Sequence, residues 1–330
     1  MTYTVGSLIE ATDYNGFVST NASNVNAIWS TGSGDRGYGQ TAMANVTAGT
    51  TVTATAWANL VNNISTIANH QGTTITSRTA PVAGNTIVIL NAVNTDITTL
   101  TTNRGNAAAS GTAIVSWTGT TAKTTTTGSG NAAWTITFTH TVTFASANAA
   151  RYFFNAGGLV RWRTSKTSTG TVADPEWNDL ASTLVGNIYI SGGTSTQVIA
   201  GTSYTGTTKI GGTGTPTTLN TGTGFYDLTT TAGNVYVQFA DTSPYTGQYI
   251  GLALSVNSNT APTVLTLTTT WRDPGGAAIG STDVITGGTD TVSPFTAFGT
   301  APCTLVTLVP PSTTYLSNTW GTPTVAASVV

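Results

Sequence analysis

Carboxylates are the first residues to weigh, because two in one cleft can hydrolyse a glycosidic bond and several together can hold a hard cation. The chain has two glutamates, Glu10 and Glu176, and ten aspartates. They cluster once, in ADPEWND, where Asp174, Glu176 and Asp179 fall within six residues. That cluster could take calcium through oxygen ligands, but the DxDxDG loop spacing is missing. It could equally cap a helix starting near Glu176, since acids are favourable at helix N-termini, and capping is the expected role. Asp283 and Asp290, in STDVITGGTD, read as turn formers. Two glutamates are a poor supply for a glycan hydrolase of the depolymerase type.

Nucleophile arrangements fare worse. Cys303 lies in APCTLVTLVP, an apolar strand with no histidine near it in sequence, so an inert buried thiol is expected. One cysteine excludes an internal disulfide framework, and two histidines leave little for zinc. His140 falls on the apolar face of a strand and reads as a core histidine with one satisfied hydrogen bond. His70 ends a helix, where an imidazole can meet the last carbonyls. The Gly-rich stretch GSGDRGYGQ (residues 32–40) lacks GxxxxGK[ST] and follows no strand, so it is not read as a phosphate loop. Its Asp35/Arg36 pair is expected to fix the turn. Arg161 and Arg163 share one face of a strand and could pair with the acids of 174–179. With Arg151 and Lys166 they are too few for a nucleic-acid stripe. No catalytic residue, cofactor or metal is assigned, and nucleic acid is not an expected partner.

The composition agrees. Charged residues make up 7% of the 330, against about 25% in an average soluble protein. Small polar residues replace them, and threonine alone exceeds about a fifth of the chain. Threonine favours extended backbone through its branched Cβ, and a surface poor in titrating groups is expected to respond weakly to pH and salt. Eight Trp, nine Phe and eleven Tyr need a core and argue against disorder of the whole chain. No apolar run approaches ~18 residues, so no transmembrane helix is expected. The opening MTYTVGSLIEATDYNG shows no basic and apolar leader, so no secretory signal is expected.

Two regions emerge from the periodicity. Residues 1–106 read as a helical and loop region. In 57–68, Trp57, Leu60, Ile64 and Ile67 recur at 3-4-3 spacing, with Thr55 as a candidate N-cap and Gly72 closing the helix. Residues 85–103 repeat it with Leu90, Val93, Ile97 and Leu100, and 19–30 is a weaker third helix. Asn- and Thr-rich helices of this length are marginal alone. Their stripes must be covered, either by an intrachain hairpin or by other copies of the chain. The second option makes these eight residues candidate oligomerisation contacts.

From 107 to 330 the period becomes 2. In WTITFTHTVTF (134–144), Trp134, Ile136, Phe138, His140, Val142 and Phe144 share one face and threonine occupies the other. Further strands are predicted at 112–117, 151–155, 159–164, 186–191, 234–240, 248–256, 262–271 and 303–309, with a short helix at 177–185. The stretch 192–224 reads as long loops or a loose hairpin. The chain is thus expected to be mainly β: an antiparallel β-sandwich or jelly-roll-like region preceded by short helices.

The most specific local feature is ARYFFNAGGLVRWRTSKTSTG (150–170), read as a hairpin built on Tyr152, Phe153, Phe154, Asn155, Gly157, Gly158 and Arg161. With EWNDLASTLVGNIYIS after it, this block resembles virion structural proteins of tailed bacteriophages, notably the T4-like myoviruses of marine cyanobacteria. GYGQ at 37–40, the W-x-x-L…HQG stretch at 57–72 and YIGLALSVNS…LTLTTTWRD at 249–273 are similar to other parts of those proteins. The resemblance implies a non-enzymatic virion component of tail, neck or fibre, assembled in the bacterial cytoplasm. Its implied partners are other copies of itself, a trimer by analogy, and neighbouring virion proteins. The other reading is a carbohydrate-binding adhesin that stacks host-surface glycans on Trp162, Tyr226 and Tyr245.

Overall fold

In the computed structural model of the chain, the described residues are 10–19, 24–84, 90–108, 115–116, 120–122, 133–167, 173–274, 289–291 and 303–329. Asp283, residues 85–89 of the second predicted helix, 20–23 of the third and most of the predicted strand 112–117 lie outside them. Four helices come first: α1 (Ala11–Val18), α2 (Val25–Trp29), α3 (Ala54–Gln71) and α4 (Leu90–Thr102). Two more, α5 (Ala147–Asn155) and α6 (Ala173–Asn178), fall between strands. The strands are β1 (Val115–Ser116), β2 (Thr120–Ala122), β3 (Trp134–Thr143), β4 (Leu159–Ser165), β5 (Asn187–Ile190), β6 (Gln197–Ile199), β7 (Thr202–Tyr204), β8 (Thr207–Ile210), β9 (Thr218–Leu219), β10 (Gly233–Phe239), β11 (Tyr249–Val256), β12 (Val264–Asp273), β13 (Thr289–Thr291), β14 (Cys303–Val309) and β15 (Thr324–Val329). The protein is mainly sheet.

A six-stranded antiparallel sheet runs β15-β3-β12-β11-β10-β9, and a five-stranded one runs β1-β14-β4-β5-β8. Alternation fixes their faces. Ile136, Phe138, His140 and Val142 of β3 are buried beside Leu265, Leu267, Thr269 and Trp271 of β12. On the opposite face the register sets Thr137 against Thr270, Thr139 against Thr268 and Thr141 against Thr266, an uncharged threonine ladder. The two sheets meet across the core. Trp162 of β4 donates its Nε1–H to Thr269 Oγ1 at 2.8 Å, and Trp271 donates to Thr304 Oγ1 of β14 at 3.4 Å.

Thr53, two residues before the expected Thr55, caps α3 by accepting from the Ala56 N–H at 3.2 Å, and Gly72 ends the helix at φ 62°. The α3 and α4 stripes are covered within the same chain. Trp57, Leu60, Ile64 and Ile67, with Val93, Ile97 and Leu100, are each at most 2% exposed in a single copy. The side chain of Leu90 lies outside the described residues. Trp57 meets Tyr14 and Phe17 of α1 edge-on at 5.6 and 6.1 Å. The stripe is therefore intrachain core and not a surface left for a second copy. The periodicity could not see this because α1, which supplies the covering rings, is only eight residues long and carries Asn15 and Gly16 within its apolar pattern. One apolar cluster runs from Tyr14 to Trp320, so the divide at 106/107 marks a change of element type and not a break in the core.

Two strand-level expectations are corrected. Residues 151–155 are helical, as described below. The stretch 192–224 carries short strands β6 to β9 in place of long loops, and the hairpin offered as the other reading is present as β6–β7, turned by Ala200 and Gly201 at φ 48° and 81°. Both turn residues in the left-handed region match the two-residue turn that suits strand twist. Glycine and threonine density hid strands of two to four residues each.

Candidate functional site

RYFFN reads as a strand because its aromatics favour extended backbone, but the residues before it decide otherwise. Ser146 accepts from the Ala149 N–H at 3.0 Å and caps a helix that runs through Ala147–Asn155. Ala149, Ala150, Phe153 and Phe154 then form one buried stripe at helical spacing. Phe154 stacks on Phe225 at 4.3 Å, and Phe144 tilts against Phe153 at 5.5 Å. The predicted hairpin is thus a helix, a glycine reversal and the strand β4. Gly157 makes the reversal at φ 95°, and a Cβ on Gly158 would stand 2.6 Å from the Phe153 ring.

The outer flank of α5 holds the loop 32–40. Arg151 donates to the carbonyls of Gly34 (3.0 Å), Thr31 (3.2 Å) and Arg36 (2.9 Å) and to Asn148 Oδ1 (2.8 Å). Asn155 donates to Gly37 O at 3.1 Å and accepts from the Tyr226 hydroxyl at 2.5 Å. A Cβ on Gly39 would lie 2.5 Å from the Tyr152 ring, so GYGQ and YFFN are shaped to each other. Asp35 forms an ion pair with Arg104, two residues beyond α4. It also accepts from Thr194 Oγ1 at 3.1 Å. Gln197 donates to the carbonyls of Gly105 and Phe154, both at 3.1 Å. These groups enclose a cavity of about 10 Å³, room for one water.

The W-x-x-L…HQG segment reaches the same place. Gln71 donates to the Tyr38 hydroxyl at 2.9 Å, which itself donates to Arg104 O at 2.7 Å. Burial pushes the Tyr38 and Tyr226 hydroxyls up, far from any role as a base at neutral pH. His70 does not cap its own helix. Its Nε2–H donates across the fold to Ala156 O at 3.0 Å, and its ring meets Tyr38 edge-on. Burial lowers its pKa from 6.5 to about 4, and the bond to Ala156 opposes this only in part. The folded protein therefore holds it neutral, while the unfolded chain takes a proton below pH 6.5. Stability from this group is complete above that value and is lost as pH falls toward about 4, by about 3 kcal/mol at most. Urea midpoints should fall between pH 7 and pH 5 in the native chain, and by much less in His70→Gln; equal falls in both would refute the assignment. This is one strong pH dependence in a chain whose composition predicts little.

No family model, curated protein or solved structure matches the chain.

The remaining candidates fall in separate places. Cys303 is buried beside Leu305 against β15, as its apolar strand predicts, and His140 is fully buried on β3. The glycan-stacking candidates are not a surface. Trp162 is fully buried, Tyr226 is tied to Asn155, and Tyr245 is half-buried against the core. Tyr315, 40% exposed, is the exposed large aromatic among the described residues. Among the described residues, no helix is long and apolar enough to cross a membrane.

Glu176 is not a helix cap. It lies one turn inside α6, and oxygens of Glu176, Asp179 and Asp241 come within 4.8 Å of one another. Burial first, then the charges of Asp179 and Asp241, push the Glu176 carboxyl up, and hydrogen bonding from Thr242 opposes them. Arg161 and Arg163 keep to one face of β4, and Arg163 is lowered by burial and then by Arg161. The side chain of Asp174 lies outside the described residues. Asp241 follows β10, far along the chain, and no local spacing could have flagged it.

Proposed function

We propose that the chain is a non-enzymatic structural component of a tailed-bacteriophage particle, in its tail, neck or fibre, with a β-sandwich body assembled as a homo-oligomer. One observation carries the reading: three of the segments that resemble such virion proteins, GYGQ, the HQG stretch and YFFN-x-GG, converge on a single interlock, and their distinctive residues are used there for architecture. The glycines of GYGQ and YFFN-x-GG allow close approach, and Arg151, Asn155, Gln71 and Tyr38 bind backbone carbonyls or one another. Asp35, Arg104 and Tyr226 of the interlock are held by partners around a cavity with room for one water. With the α3 and α4 stripes buried, contacts between copies fall on neutral faces such as the threonine ladder of β3 and β12. Such a face associates without a charge pattern that salt would screen.

The test is direct. Antibody to the chain should decorate purified particles at one fixed position in electron micrographs, and peptides of the chain should be found in those particles by mass spectrometry. A chain missing from the particles would overturn the proposal. Light scattering should give a multiple of the chain mass, and a strictly monomeric chain would overturn the homo-oligomer part.

A further inference from the structure

Glu176 is 7% exposed, and its Oε1 is buried with no hydrogen-bond partner among the described residues. A buried carboxylate is costly unless a cation or a set of donors offsets it. Asp96, the buried acid of α4, is offset by Arg78 in an ion pair. Glu176 has the opposite surroundings, with Asp179 and Asp241 adding negative charge and Thr242 compensating in part. The fold nevertheless holds the three acids together from two directions. Trp177 stacks on Trp271 of β12 at 5.6 Å, and Leu180, Ala181 and Leu184 are buried after it, so Glu176 and Asp179 are fixed on the neighbouring flank. There the helix widens into a π-turn (Asp179–Leu184), a departure common at functional sites. Asp241 is placed by the loop between β10 and β11, which closes through Ala240 N–H to Gln248 O at 3.0 Å.

Oxygens all within 4.8 Å of one another leave a centre at most about 2.8 Å from each, which admits calcium–oxygen distances of about 2.3–2.6 Å. The ligand set favours calcium, which takes many carboxylate oxygens in flexible geometry, whereas magnesium sheds water reluctantly and is usually held through one or two carboxylates. Glu176 is the buried member of the cluster and Asp241 the exposed one, so solvent can deliver the ion and complete its shell with water. We propose that Glu176, Asp179 and Asp241 form a calcium site that ties α6 to the β10–β11 loop.

The experiment compares melting temperatures of the full chain in EDTA and in about 10 mM calcium chloride, with calorimetric titration of calcium alongside. For a site of about 10⁻⁴–10⁻³ M affinity, calcium should raise the melting temperature by about 2–4 °C. Glu176→Gln is the obvious variant, but it alters a buried group. Asp241→Asn changes an exposed one, should fold like the native chain, and should lose the calcium shift and the binding heat. No shift in the native chain would overturn the site. So would a shift kept by Asp241→Asn, or one matched by magnesium.

Discussion

Replacing Leu60 and Ile64 together by aspartate is expected to unfold the helical third of the chain, and not to release single copies from an assembly. Both side chains are at most 1% exposed within one copy, on the face of α3 that belongs to the common core. Burying two unpaired carboxylates there, with the loss of two large apolar side chains, costs well over about 5 kcal/mol, a large share of the stability of an ordinary domain. The measurements are far-ultraviolet circular dichroism and urea unfolding, read beside light scattering. Loss of helix signal with aggregation is the expected outcome. A double variant of native ellipticity and reduced particle mass would instead restore the stripe as an assembly contact.

The second large effect is expected at Gly37. Its φ of 97° lies where side chains are strained, and an added Cβ would overlap the Thr31 carbonyl oxygen, which is backbone and cannot swing away. Gly37→Ala must open the loop 32–40 and with it the carbonyl positions that Arg151 and Asn155 bind, at a cost of about 4 kcal/mol. Gly34 is the control in the same loop. It has φ 56° but nothing within 4 Å of an added Cβ, so Gly34→Ala should cost about 1 kcal/mol from backbone strain alone. Denaturant melts of the two variants separate close approach from strain. Equal losses would mean that the interlock does not depend on backbone packing at Gly37.

Both results bear on the virion proposal through the same physics. A protein with few charges must draw specificity from shape and from hydrogen bonds to backbone, because it has few ion pairs to place. The interlock does this with carbonyl acceptors: Arg151 alone binds three of them. The proposed calcium site would add a point of electrostatic fixation where the chain's own cations are not supplied.

Local sequence determined which face of each long element is apolar. Alternation in β3 and β12 and the 3-4-3 stripes of α3 and α4 depend on pleat and helical pitch alone, so they were legible residue by residue, as was the αL closure at Gly72. What lies against each face is not encoded locally. Whether RYFFN extends or coils depended on a serine cap five residues upstream of Arg151, and whether the α3 stripe meets another copy depended on Tyr14 and Phe17. Asp35 found Arg104, 69 residues away, and Glu176 and Asp179 met Asp241 from the loop after β10. Such pairings are set by burial of one continuous core, which brings distant segments together at a free energy that short-range preference is too weak to oppose.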